Sequence, residues 1–213
     1  MAMSPGARAA LIGLILSSAA VEGSLQLADQ GMLGSARLRS AAYEYGAFWP
    51  GLLRDWRPNY ALQPVTMFLS YGFLHGGAVH LALNMVTLAS LGGAVVQRVT
   101  AARFLLIYFG SMVGGAAVYG LLAAGPTPMV GASGALFGLA GALLAWLWED
   151  QPTLRDALVL AGRAVLLLVA LNVVLYFALA KQLAWQTHLG GFLAGWVLAI
   201  AVDPPRRGRR AGL

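Results

Sequence analysis

The chain has 213 residues, 59% of them hydrophobic and 10% charged, and its mean hydropathy is +0.73. A water-soluble domain carries about a quarter charged residues, so this composition belongs to an integral membrane protein. The net charge of +6 sits mostly at segment ends and in the tail, which points to membrane lipid rather than nucleic acid as its partner, and the absence of cysteine excludes disulfides, thiolate metal sites and a cysteine nucleophile.

A membrane-crossing helix takes about 20 apolar residues. Six segments qualify, which predicts an all-α polytopic protein with six transmembrane helices in a single membrane domain over residues 1–213. The first span covers about 7–27. Its start, "MAMSPGARAALIGLILSSAAVEG", has a signal-peptide look, with Arg8 before an apolar run. Because further spans follow Glu22, it reads as an uncleaved first helix. A long outer connection, about 28–69, contains "FWPGLLRDWRP" from Phe48 to Pro58. That mixture of aromatics and arginines suits a segment lying in the interface, with a solvated loop as the alternative.

The second span, about 70–96, includes "LHGGAVHLALNM" with His75, His80 and Asn84. The third covers about 102–123. The fourth, about 131–148, lies in "MVGASGALFGLAGALLAWLW", where the hydroxyl of Ser133 is flanked by Gly131, Ala132 and Gly134. The fifth, about 160–180, holds Asn172, for which the sequence suggests only an interhelical hydrogen bond. The sixth, about 185–202, begins "WQTHLGGFLAGWVLA" and carries His188. A basic tail, 203–213, follows. Six Trp and seven Tyr, several near segment ends, fit an interfacial aromatic belt.

Positive residues orient the spans. With the N-terminus inside, the cytoplasmic side holds Arg8, Arg98, Arg103, Arg155, Arg163, Arg206, Arg207, Arg209 and Arg210, nine of the fourteen Lys and Arg. The outer side holds Arg37, Arg39, Arg54, Arg57 and Lys181, four of these in the long first connection. Both termini are therefore expected to be cytoplasmic, and the even-numbered helices start at the outer face.

That topology sorts the polar groups. His80 and Asn84 lie in the first turns of the second helix, Ser133 in the first turn of the fourth and His188 in the first turn of the sixth. All four then sit in the outer half of the membrane, where polar groups are costly and tend to be functional. Singly, each has a structural reading: a serine bonding its own backbone, a histidine serving as a hydrogen-bonder, small residues packing helices. Together at one depth they fit acyl transfer by a serine nucleophile. Ser133 needs a base, and His188 is the one available in the sixth helix. No Asp or Glu is placed to complete a triad, so the arrangement would be a Ser–His dyad. Oxyanion donors would be the Ser133 amide, His80 and Asn84. Gly131 and Gly134 would let a substrate backbone approach Ser133. Gly134 and Gly138, and Gly191 and Gly195, are i, i+4 pairs that would let the fourth and sixth helices meet. The G-x-S-x-G elbow does not apply, because position 135 is Ala. No metal or cofactor is expected.

"GASGALFG" from Gly131 to Gly138, His80-x-x-x-Asn84, and His188-x-x-Gly191-x-x-x-Gly195 together resemble the rhomboid family of intramembrane serine proteases. The resemblance covers about residues 65–202 and implies a rhomboid-like bundle. It implies Ser133 as nucleophile and His188 as base, with His80, Asn84 and the Ser133 amide as the oxyanion hole and His75 in support. It also implies transmembrane protein substrates, a membrane-embedded first loop, and a substrate gate formed by the fifth helix and residues 181–186. Phe137 stands where some members carry a tyrosine stacked on the catalytic histidine. The family's frequent Trp-Arg pair appears here only as Trp56-Arg57, earlier than the resemblance would place it. The minimal length and the alanine- and arginine-rich usage suggest a bacterial inner-membrane protein. Two other readings compete: an inactive relative that binds transmembrane helices, and a small transporter. The transporter would be marked by paired broken helices.

Overall fold

The computed structural model describes residues 3–123, 125–178 and 183–202. The basic tail and Lys181 lie outside the described residues. Helix α1 spans Pro5–Asp29. It begins where Ser4 Oγ accepts the Ala7 N–H at 3.2 Å, with Pro5 in the first turn, where a missing N–H costs nothing. Helix α2 (Leu38–Gly46), a 3₁₀ turn at Pro50–Leu53 and helix α3 (Gln63–Ser70) fill the long connection, and a 3₁₀ turn at Tyr71–Phe73 follows it. Ala47, Phe48, Met67 and Tyr71 are fully buried. Phe48, Pro50 and Gly51 of the Phe48–Pro58 segment are packed into the molecule, while residues 53–62 are exposed.

The second span starts later than its hydropathy predicts. Helix α4 runs Ala78–Thr87 and continues through a π-turn at Leu88–Gly92 into a last turn, α5 (Gly93–Val95). Residues 70–77 are excluded because Gly77 takes φ 114°, a conformation that halts a helix and that a side chain resists. Then come α6 (Ala101–Leu122), α7 (Ser133–Glu149), α8 (Leu154–Ala178) and α9 (Trp185–Val202). By length and composition Pro5–Asp29, Ala78–Val95, Ala101–Leu122 and Trp185–Val202 can cross a membrane, and Ser133–Glu149 is a shorter apolar helix. The fold is an all-α polytopic membrane protein. No strand occurs among the described residues; the single β-bridge joins Phe48 and Met129.

Helix α9 is wedged between α6 and α7, and glycines make the wedge possible. A Cβ on Gly191 would fall on the Gly134 carbonyl, and one on Gly195 on the Gly138 carbonyl. On the α6 side, a Cβ on Gly190 would sit 2.5 Å from the Gly114 carbonyl oxygen, and one on Gly115 2.8 Å from the Thr187 carbonyl. Such small-residue seams let helix backbones meet where lipid offers no hydrophobic drive to associate. Lower down, Trp146 Nε1 donates to the Ala199 carbonyl at 3.2 Å. Gly191→Ala is expected to cost about 3 kcal/mol or more, because overpacking here strikes backbone that cannot rotate aside. Thermal unfolding in detergent reads the loss.

A second tie holds α1 to α2. Glu22, 1% exposed within the first span, receives Arg39 Nη2 at 2.9 Å and Gln26 Nε2 at 2.8 Å. Arg39 also donates to Asp29 at 2.7 Å and to the His75 carbonyl at 3.1 Å. These carboxylates raise the guanidinium pKa still further, the hydrogen bond to Glu22 contributing most. Arg39→Leu strands a buried carboxylate and is expected to destabilise the fold by about 3 kcal/mol. Pairing it with Glu22→Gln should recover most of the loss in the same unfolding assay.

Candidate active site

Ser133 is the first residue of α7, and the chain leading to it is held from two directions. Phe48 and Met129 exchange backbone hydrogen bonds of 3.0 and 2.9 Å, and the Gly131 N–H donates to the Tyr71 carbonyl at 2.9 Å. The buried Phe48 ring anchors the bridge, edge-on to Phe68 at 5.0 Å and to Tyr119 at 6.0 Å. Gly131 adopts φ 117°, which turns the chain into the helix. The first N–H groups of α7 have no intrahelical partner and carry the positive end of the helix dipole. The Ser133 hydroxyl therefore lies beside a ready-made anion donor set.

His188, in the first turn of α9, is 4% exposed. Its Nε2 lies 2.9 Å from Ser133 Oγ. The Phe137 ring, one turn after Ser133, stacks on the imidazole at a centroid distance of 4.1 Å and 5°. On the opposite edge, His188 Nδ1 lies 2.6 Å from Asn172 Oδ1 on α8. The histidine is thus contacted from α7 and α8 while carried by α9, and the Gly134–Gly191 seam sets the separation of α7 and α9.

His80 is the third residue of α4. Its ring abuts the turn before Ser133, since a Cβ on Gly131 would lie 2.7 Å from His80 Cε1 and 2.9 Å from Nε2. The Gly76 N–H donates to His80 Nδ1 at 3.2 Å. An accepting Nδ1 places the proton of a neutral imidazole on Nε2, so the nitrogen nearest α7 is a donor. One turn further along the same face, Asn84 Nδ2 donates to the His80 carbonyl at 2.8 Å. That leaves the second amide hydrogen available, while Asn84 Oδ1 is buried without a partner among the described residues. His75 precedes the helix, fully buried, with its ring edge-on to His80 at 5.3 Å. Its carbonyl is held by the Tyr43 hydroxyl at 2.7 Å. Among the described residues no cluster of three His, Cys, Asp or Glu could hold a metal.

The structure brings Ser133, His188 and Phe137 into contact and sets His80 against the same turn. It also shows what lies against two of the glycines beside Ser133. The space before Gly131 is taken by His80. The space before Gly134 is taken by Thr187 Cγ2 at 2.7 Å and the Tyr71 hydroxyl at 3.0 Å from a Cβ built there. Both positions are thus closely packed in the fold. The interhelical hydrogen bond suggested for Asn172 is present, and its partner is His188; the sequence did not indicate which residue that partner would be. Sequence reasoning missed Tyr71, whose hydroxyl donates to the Met112 carbonyl at 2.9 Å beneath Gly134. It also missed Arg54, which donates to the Ala123 carbonyl at 3.0 Å at the end of α6.

A family model described as the Rhomboid domain matches residues 62–204. The chain is 33% identical over 63% of its length to "Rhomboid protease GluP" of Bacillus subtilis, covering 25% of that protein. It is 36% identical over 61% of its length to "RHOMBOID-like protein 5" of Arabidopsis thaliana, covering 41%. To "Rhomboid-type serine protease 2" of Emericella nidulans it is 30% identical over 66% of its length, covering 28%. The matches therefore span well under half the length of these relatives.

Proposed function

The chain belongs to the rhomboid family, and from that premise we propose that it is an intramembrane serine endopeptidase cutting single-span membrane proteins near the outer face. The observation that carries the reading is the 2.9 Å approach of His188 Nε2 to Ser133 Oγ on helices that glycines hold together.

In this reading Ser133 Oγ attacks the scissile carbonyl while His188 Nε2 takes its proton. The oxyanion forms beside the Ser133 N–H at the start of α7, with His80 Nε2–H and the Asn84 amide as further donors. His188 then returns the proton to the leaving amine, and an acyl-enzyme remains. Water, deprotonated by the same imidazole, attacks the ester and frees Ser133. The whole cycle needs no metal or cofactor. With both termini cytoplasmic, as the arginine distribution suggests, the site opens to the outer face, where that water is at hand. The setting would be a bacterial inner membrane.

Incubating purified protein with a generic single-span substrate, beside a Ser133→Ala control, tests the proposal. Cleavage by wild type alone supports it. Equal cleavage by the control, or loss of cleavage in EDTA that zinc restores, overturns the serine mechanism.

A further inference from the structure

Asn172 projects from α8 into a cleft of about 760 Å³ that it shares with Phe137, Leu168, Trp185, His188 and Phe192. Its Nδ2 donates to the Leu168 carbonyl one turn back, at 2.9 Å. A carbonyl can only accept, so the amide nitrogen must face it. The other end, Oδ1, then faces His188 Nδ1 at 2.6 Å. An amide oxygen is an acceptor only, so Nδ1 must carry the proton. Neutral imidazole has one N–H, and Nε2 is left with its lone pair toward Ser133 Oγ, 2.9 Å away.

We infer that Asn172 is the positioning residue of His188, fixing the Nδ1–H tautomer and the in-plane rotation that make Nε2 the acceptor of the Ser133 proton. This rests on the protease reading above. The tilt of the ring is set by Phe137 stacking at 5°; stacking leaves rotation within the plane free, and the Asn172 bond removes it. The orientation of the base thereby depends on α8 as well as on α7 and α9. A neutral amide performs the task that an aspartate performs in a Ser-His-Asp triad, without placing a charge inside the membrane. Among the described residues the ionisable group that acts on His188 is His80.

The test uses full-length protein in detergent. Asn172→Leu keeps the size of the side chain and removes the acceptor. Its kcat should fall on the order of 10-fold or more with KM little changed, below the roughly 10⁴-fold that a wrong tautomer costs a Ser-His-Asp protease. Asn172→Asp restores an acceptor. It should recover turnover near neutral pH and move the acidic limb of the pH–rate profile upward by about one unit, because a carboxylate favours imidazolium. The readout that a purely structural role for Asn172 would not move is the tautomer of His188. The ¹⁵N spectrum of His188, assigned against His188→Asn, should show Nδ1–H in wild type and a mixture of tautomers in Asn172→Leu. Wild-type kcat together with an unchanged tautomer in Asn172→Leu overturns the inference. If wild type neither cleaves nor reacts with a fluorophosphonate, the protease reading falls and the spectrum alone decides. An Nδ1–H lost in Asn172→Leu then upholds Asn172 as the orienting partner, and one retained overturns it.

Discussion

Replacing both Ser133 and His188 by alanine should slow cleavage no further than Ser133→Ala alone. The two side chains share one hydrogen bond of 2.9 Å, and in the proposed mechanism each acts only through the other. Members of such a unit show strongly non-additive losses; removing either typically costs on the order of 10⁶-fold in kcat, and what survives comes from the oxyanion donors and substrate binding. The measurement is a substrate-cleavage rate for wild type, the two single variants and the double. A fluorophosphonate adds an independent readout. Wild type should be labelled, Ser133→Ala should not, and His188→Ala should be labelled far more slowly because the hydroxyl has lost its base. Wild-type cleavage and labelling by His188→Ala would falsify the dyad and direct attention to His80, whose ring lies against the same turn.

Asn84→Ala should lower kcat about 100- to 1,000-fold, the usual cost of one oxyanion donor, with little change in KM. The structure explains why folding should hardly suffer. Asn84 Nδ2 donates only to the carbonyl of His80 in its own helix, and its Oδ1 is a buried acceptor without a partner among the described residues. Removing an unsatisfied acceptor relieves a cost instead of creating one. A wild-type unfolding temperature with a depressed kcat is the expected pair of results. A wild-type rate would remove Asn84 from the site.

Much of the architecture is legible in the linear chain because two periodicities suffice. Hydropathy over about 20 residues marks the spans, and the helical repeat puts His80 over Asn84 and spaces Gly134 with Gly138 and Gly191 with Gly195 on single faces. Those glycines do interleave across α7 and α9, as their spacing suggested. The limits appear where a residue's neighbour lies far away in sequence. Hydropathy carried the second span back to about 70, whereas the positive φ of Gly77 starts it at Ala78. The stretch from 28 to 69 lacks a helical run long enough to stand out, yet the burial of Phe48 and Met67 folds it onto the bundle. Glu22 is a charge inside a span, and its partner Arg39 lies 17 residues away on another helix.

The two histidines of the site show the division most clearly. His80 takes its tautomer from Gly76, four residues away, within the reach of local geometry. His188 meets Ser133 across 55 residues and Asn172 across 16, on three different helices. The sequence by itself determined which segments are apolar and which residues share a helix face, because hydrophobicity and helical period are local properties of the chain. Only the tertiary structure decided which of them touch and which nitrogen of His188 bears the proton. Those depend on the rotation and separation of α7, α8 and α9, set by the packing of backbones that are remote from one another in sequence.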